Sequence, residues 1–167
     1  RLTLNPVEED EFIDKDINIR DYLHEIISSF KEISKKEFVF NFDQDSNPKK
    51  ISKSIEIVYG LRNFIGNANK FATNSIFINL KSDSEFTELT VEDDGNGYPR
   101  DIISKIGEPY LKSNYSKDKS KEGLGLGLFI GKTLLEKNFA SVNCRNSKTR
   151  SGAEVIIRWK NKELFNI

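Results

Sequence analysis

A chain of 167 residues is long enough for one well-buried core and too short for two ordinary domains. Its 26 Lys and Arg balance 26 Asp and Glu, so no net field draws it to nucleic acid or to an anionic membrane. No apolar run approaches the roughly 20 residues needed to span a bilayer, and the single Cys excludes an internal disulfide and fits a reducing compartment.

The chain opens at Arg1 without a Met, which suggests a fragment or a processed product, and its first residues do not read as a signal peptide. Residues 1–16 are acidic and aperiodic and read as an extended lead-in. From 17 to 33 the apolar residues Ile19, Leu23, Ile26, Ile27 and Phe30 recur at helical spacing. Residues 38–42 alternate and predict a strand, which ends in the turn-rich run Asp45-Ser-Asn-Pro. A longer helix is expected over about 52–72, with Ile51, Ile55, Val58, Ile65, Ala68 and Ala72 on one face and Asn63, Asn67 and Lys70 on the other. Strands at 75–81 and 86–93 flank a short polar turn.

A short helix should begin at Pro99, since proline suits a first helical turn. Residues 107–122 are polar, rich in Lys and Ser, and too long for an ordinary connection, so they are read as functional or mobile. A helix starting at glycine is expected over about 123–138, followed by strands at 141–145 and 153–159. Cys144 falls on the first of these and reads as a small, partly buried strand residue. These elements predict a two-layer α+β domain whose strands are mostly antiparallel hairpins, with no Rossmann alternation.

Three features sit where folding alone would not choose them. Asn is a poor helix former, yet Asn63 and Asn67 lie one turn apart and present amide oxygens of the kind that suit a hard cation such as Mg2+. The run Asp93-Asp-Gly-Asn-Gly follows a strand directly, and its glycines let backbone approach a flat ligand beside a carboxylate. In Gly123-Leu-Gly-Leu-Gly, three glycines enter a helix at a cost of roughly 1 kcal/mol each, and N–H groups at a helix start bind phosphate. The spacing is not that of a dinucleotide-binding loop, and no Gly-Lys-Ser/Thr follows as in a Walker loop.

Together and in this order, the three closely resemble the N, G1 and G2 boxes of the GHKL superfamily, which includes gyrase-type ATPases, Hsp90, MutL and histidine kinases. Gly107-Glu-Pro-Tyr between the second and third is similar to the F box of histidine kinases with Tyr110 in place of Phe, and Ser151-Gly-Ala-Glu-Val resembles the strand that closes this domain. The stretch 106–142 looks most like kinases of the RegB/PrrB redox-responsive type. The resemblance implies a Bergerat fold: a mixed, mostly antiparallel sheet covered on one face by helices, with a mobile ATP lid at about 107–122. It divides the chain into a lead-in and N-terminal helix, 1–33, and an ATP-binding catalytic domain, 34–167.

The resemblance also implies roles. Asn67 coordinates Mg2+, Asn63 supports the metal's waters, Lys70 approaches the phosphates and Phe71 packs near the nucleoside. Asp94 accepts from the adenine amino group, with Gly95 and Gly97 leaving room for the ring. Gly123, Gly125 and Gly127 line the triphosphate, while Leu124, Leu126 and Leu128 hold the end of the lid to the core. Tyr110 and Lys112 belong to the lid side of the site. Hydrolysing members of the superfamily carry Glu where Asn63 stands, as a base for water. Asn cannot take a proton, so the chain looks built to hold ATP for transfer to a separate nucleophile.

That nucleophile is expected on dimerisation and phosphoacceptor helices outside this chain, in a homodimeric kinase with a cognate response regulator. The setting implied is a cytoplasmic domain of an inner-membrane-anchored protein. His24-Glu25 imitates the start of a phosphoacceptor box, but the residues that should follow are absent, so His24 is read as a packing or surface residue.

Overall fold

The computed structural model describes residues 17–43, 49–51, 54–106 and 119–164, and for 119–124 the backbone alone. The lead-in 1–16 and the segment 107–118 lie outside the described residues.

Helix α1, Ile19–Lys31, starts where Asn18 accepts a hydrogen bond from the Asp21 amide at 2.9 Å. Its apolar stripe is fully used: Ile19, Tyr22, Leu23, Ile26 and Ile27 are each at most 4% exposed and join the same core as the sheet. The boundary expected at residue 33 is therefore not a boundary in the packing. Strand β1, Glu37–Phe42, follows. Helix α2, Ile55–Phe71, is capped by Ser54 through the Ile57 amide. At its far end Lys36 donates to the Asn69 and Lys70 carbonyls at 2.5 and 3.2 Å, placing a cation on the negative pole of the helix.

Strands β2, Ser75–Ser82, and β3, Phe86–Asp93, form a hairpin. Pro99 precedes the short helix α3, Arg100–Ile103, as its extended N-cap (φ −60°, ψ 150°) rather than as its first residue. Helix α4, Lys119–Lys137, leads into strands β4, Ser141–Asn146, and β5, Ala153–Lys160, and a last turn, α5, covers Asn161–Leu164.

The five strands lie in the order β1-β2-β3-β5-β4. Only β1 and β2 run parallel, joined through α2; the other neighbouring pairs are antiparallel. Period-2 alternation turns Ile76, Ile78, Leu80, Leu89, Val91, Val155, Ile157 and Trp159 to one face of the sheet, where α2 and α4 cover them. The expected two-layer, mixed and mostly antiparallel sandwich is the observed fold.

Two details of the helices differ from expectation. Ile55 is 73% exposed, and the buried face of α2 is centred on Ile57, Leu61, Phe64, Ile65 and Ala68. A stripe anchored on Ile51 and Ile55 fails because the helix begins at Ile55, leaving Ile51 buried in the preceding chain. The face carrying Asn63 and Asn67 is not a solvated back, since it packs on α4.

The two helices meet through glycine. A Cβ at Gly60 would lie 2.7 Å from Leu135, and one at Gly131 would lie 2.8 Å from the buried ring of Phe64. Glu56 reaches from the start of α2 to Lys137 and Asn138 at the end of α4. Gly131→Val is expected to cost about 1–3 kcal/mol by overpacking this crossing. Urea unfolding measures the cost, and an unchanged midpoint would show that the crossing has slack.

Candidate nucleotide site

A cavity of about 240 Å3 opens between α2 and the ends of β3 and β5. Helix α2 supplies Phe64, Asn67, Ala68 and Phe71; β3 supplies Val91 and Asp93; the turn after β3 supplies Asn96, Gly97, Tyr98 and Pro99; β5 supplies Ala153 and Val155. The wall is largely apolar, with one carboxylate and a few amides. That is the usual balance of a small-molecule pocket, in which burial gives affinity and a few polar groups give orientation.

The carboxylate is Asp93, 3% exposed at the end of β3. Its Oδ1 accepts from the Gly95 amide at 2.8 Å and from the Ala153 amide at 3.3 Å. Burial pushes its carboxyl above the ordinary value of 3.8, against the pull of those two amides. Gly152 lets β5 come this close, since a Cβ there would lie 2.0 Å from the Asp93 carbonyl oxygen.

Asp94, on which the sequence reading placed adenine recognition, is not in the cavity wall. Its Oδ1 accepts from the amides of Thr73, Asn74 and Ser75 at 2.8, 3.0 and 3.2 Å. Burial works to raise its pKa, but these three donors outweigh it and hold the carboxyl below 3.8. The reason for the one-residue displacement is alternation. Asp93 continues the inward face of Leu89 and Val91, whereas Asp94 turns to fasten the exit of α2.

Gly95 is also structural, because a Cβ there would lie 2.1 Å from the Phe71 carbonyl oxygen. Gly97 does line the cavity, in the left-handed conformation at φ +81°.

Asn67 lines the cavity, and its Nδ2 is buried without a hydrogen-bond partner. Asn63 stands one turn earlier, its Nδ2 donating to the Tyr59 carbonyl at 2.8 Å. That bond leaves Oδ1 directed at α4. A Cβ on Gly127 would lie 3.5 Å from Asn67 Nδ2, 3.6 Å from Asn63 Oδ1 and 3.8 Å from Asn67 Oδ1. Two carboxamides thus face one glycine, and the unmet donor among them is a polar group that a ligand or a water can satisfy. Among the described residues no group of three His, Cys, Asp or Glu could cage a metal. The amide oxygens fit a hard cation that brings most of its other ligands with it.

Phe71 lies in the wall, 39% exposed. Lys70 does not; its ammonium sits 5.3 Å from the centre of the Phe71 ring, at the rim. Gly123, Gly125 and Gly127 lie inside α4 rather than at its start, which comes four residues earlier at Lys119. Their amides fall beyond the unsatisfied first turn and are spent within the helix, so the phosphate-binding helix start expected at Gly123 is not formed here. The physical reason is that Lys, Ser and Glu at 119–122 are adequate helix residues, and the helix extends through them. Leu126 is 39% exposed, and Leu128, fully buried, is what ties this part of α4 to the core.

The side chain of Leu124, and Tyr110 and Lys112 altogether, lie outside the described residues. His24 is exposed and packs edge-on against Phe40 at 4.8 Å, as a surface residue would. Cys144 is half-buried on β4, its thiol pushed up to about 12 by burial. Of the wall residues, the sequence reading assigned a site role to Asn67, Phe71 and Gly97 and missed the rest, Asp93, Asn96, Tyr98, Ala153 and Val155 among them. The closing-strand motif around Gly152 was the one signal that pointed to part of this wall.

Several solved structures share this architecture. The catalytic domain of histidine kinase ThkA superposes with a TM-score of 0.70 at 21% identity, covering 87% of this chain and 96% of that one. Full-length ShkA in complex with AMPPNP gives 0.67 at 21% identity, with 86% of this chain and 30% of that chain covered.

In sequence, the sensor histidine kinase RegB of Cereibacter sphaeroides is 36% identical over 108 residues, 62% of this chain and 23% of RegB. The sensor protein RstB of Escherichia coli is 31% identical over 99 residues, 59% of this chain and 23% of RstB. The chain thus spans about a quarter of the length of these relatives. No helix among the described residues is long and apolar enough to cross a membrane. The family model of the histidine kinase-, DNA gyrase B- and HSP90-like ATPases matches residues 52–163, a span that holds the cavity and the Asn pair, and the chain belongs to that family.

Proposed function

We propose that this domain binds Mg-ATP and donates its γ-phosphate to a histidine on separate dimerisation and phosphoacceptor helices, as the catalytic part of a two-component sensor kinase. The observation that carries the reading is the pairing of a buried carboxylate, Asp93, with the unpartnered amide of Asn67 across one apolar cavity. Adenine enters between Phe71 and the 96–99 turn, and the free side of the Asp93 carboxylate accepts from its exocyclic amine. Guanine presents a carbonyl at that place and is disfavoured. Adenine recognition thus passes from Asp94 to its neighbour.

Asn67 and Asn63 would hold Mg2+ through their amide oxygens, and the ion would neutralise charge on the phosphates. Asn63 has no basic atom to deprotonate water, so hydrolysis is slow and the phosphoryl group waits for a positioned imidazole. Lys70 at the rim supplies positive charge to the phosphates. Gly123, Gly125 and Gly127 could offer backbone donors to the triphosphate once the first turns of α4 open, a change that exchanges helix hydrogen bonds for phosphate ones. The complete kinase is expected to be a homodimer acting on a response regulator.

Mixing the domain with its acceptor helices and ATP labelled at the γ-position tests this. Acid-labile label should appear on the acceptor histidine, at a rate limited by docking without a covalent link. Asn67→Ala should abolish the Mg2+ dependence of nucleotide affinity. Tight ATP binding with no transfer would favour a regulatory nucleotide-binding module instead. Label on His24 of the isolated domain would overturn the mechanism.

A further inference from the structure

We infer that Asn146, at the end of β4, is a positioning residue for nucleotide binding, acting through the main chain of Tyr98 in the cavity wall. The inference rests on the nucleotide reading above. Residues 96–99 form one side of the cavity, so the position of this turn decides whether a flat ring fits. Asn146 Oδ1 accepts from the Tyr98 amide at 2.6 Å, and Nδ2 donates to the Tyr98 carbonyl at 3.3 Å. One carboxamide thus engages both polar groups of one residue, as a neighbouring strand would.

Two further observations tie the turn to β4. Gly97 at φ +81° is what permits the approach, because a Cβ there would lie 2.8 Å from Asn146 Oδ1. Two residues back on the same face of β4, Cys144 neighbours the Tyr98 side chain, close enough for the two groups to perturb each other. Tyr98 is therefore held at its backbone by residue 146, with residue 144 beside its side chain. The strand's period of two brings both inward while Arg145 points away to Glu154. Ser151 Oγ donates to the Gly95 carbonyl at 3.4 Å, fixing the other end of the turn.

Water could satisfy Tyr98 if Asn146 were lost, because Asn146 itself is exposed, but water would not hold the turn in place. A wall set before the ligand arrives spares the ordering cost on binding. The effect should therefore appear as affinity without any change in which base is preferred.

Calorimetry on the parent, Asn146→Ala and Asn146→Asp, with hydrogen exchange at the Tyr98 amide, tests this. Asn146→Ala should weaken ATP and ADP alike by roughly three- to tenfold, the scale of one net hydrogen bond. The ATP-to-GTP ratio should hold, and Tyr98 exchange should quicken in the ligand-free protein. Asn146→Asp keeps an oxygen toward the Tyr98 amide but sets its other oxygen against the Tyr98 carbonyl, so it should recover only part of the affinity. Parent-like affinity in the Ala variant, or an Asp variant as weak as Ala, would overturn the inference while leaving the nucleotide reading intact. A parent protein that binds no ATP would sink that reading, and this inference with it.

Discussion

Asp93→Asn is expected to weaken ATP binding about ten- to hundredfold while leaving the domain folded and, near neutral pH, more stable than the parent. The affinity loss follows from replacing a charged acceptor with a group that can turn a donor toward the adenine amine. Hydrogen bonds to charged groups contribute about 1.5–3 kcal/mol, and each 1.4 kcal/mol is about tenfold. The stability gain follows from burial. Asp93 is 3% exposed and its folded pKa is raised, chiefly by desolvation. A raised carboxyl contributes stability that is fully present below 3.8 and lost as pH rises through the folded value. At neutral pH the parent therefore carries a penalty that the neutral amide avoids, while Oδ1 still meets the Gly95 and Ala153 amides.

Asp94 has the opposite linkage. Its pKa is held below 3.8 by three backbone donors that outweigh its desolvation, so its contribution is present above that value and lost as pH falls through the lowered folded pKa. Asp94→Ala should then lower stability by about 1–3 kcal/mol and keep the adenine preference. Calorimetry with ATP and GTP, beside thermal unfolding at pH 7, distinguishes the two carboxylates. Equal losses of base preference in both variants would remove the assignment to Asp93.

A fragment beginning at residue 34 is expected not to fold, although the family profile matches only from residue 52. Helix α1 places Ile19, Tyr22, Leu23, Ile26 and Ile27 in the shared core, none more than 4% exposed. Truncating one such aliphatic side chain costs about 2–5 kcal/mol, and a whole domain has a net stability of about 5–15 kcal/mol. Removing five at once leaves the outer part of the core open. It also removes the contacts of Arg62, which donates to Ser29 at 2.7 Å and stacks on Phe30. Circular dichroism and amide NMR spectra of the 34–167 fragment check this, and a cooperative unfolding transition in it would show that α1 is an appendage.

Apart from the last turn, α5, the sequence by itself determined the elements of the described chain to within a few residues. The signals were local: alternation in the β2–β3 and β4–β5 hairpins and helical spacing in α1. It also pointed to two segments that line the cavity, the Asn67 turn of α2 and the turn after β3, because Asn in a helix and repeated Gly at a turn conflict with the easiest folding choice. What it could not decide was anything set by which way a residue turns inside a compact motif. Two adjacent aspartates look alike in a row of letters, yet the pleat sends Asp93 into the cavity and Asp94 to the end of α2.

The start of α4 was likewise undecided by local propensity, since Lys119 to Glu122 and the glycines after them are each compatible with either state. What packs on the back of α2 was undecided, because the pattern of one helix says nothing of its partner; Gly127 and Gly131 admit α4 there. Asn146 carried no signal at all, for its role depends on a strand 48 residues away meeting the Tyr98 backbone. Residue type and period are local quantities and survive in the sequence, whereas the side a carboxylate faces and the neighbour it meets exist only once the sheet and helices have closed on each other.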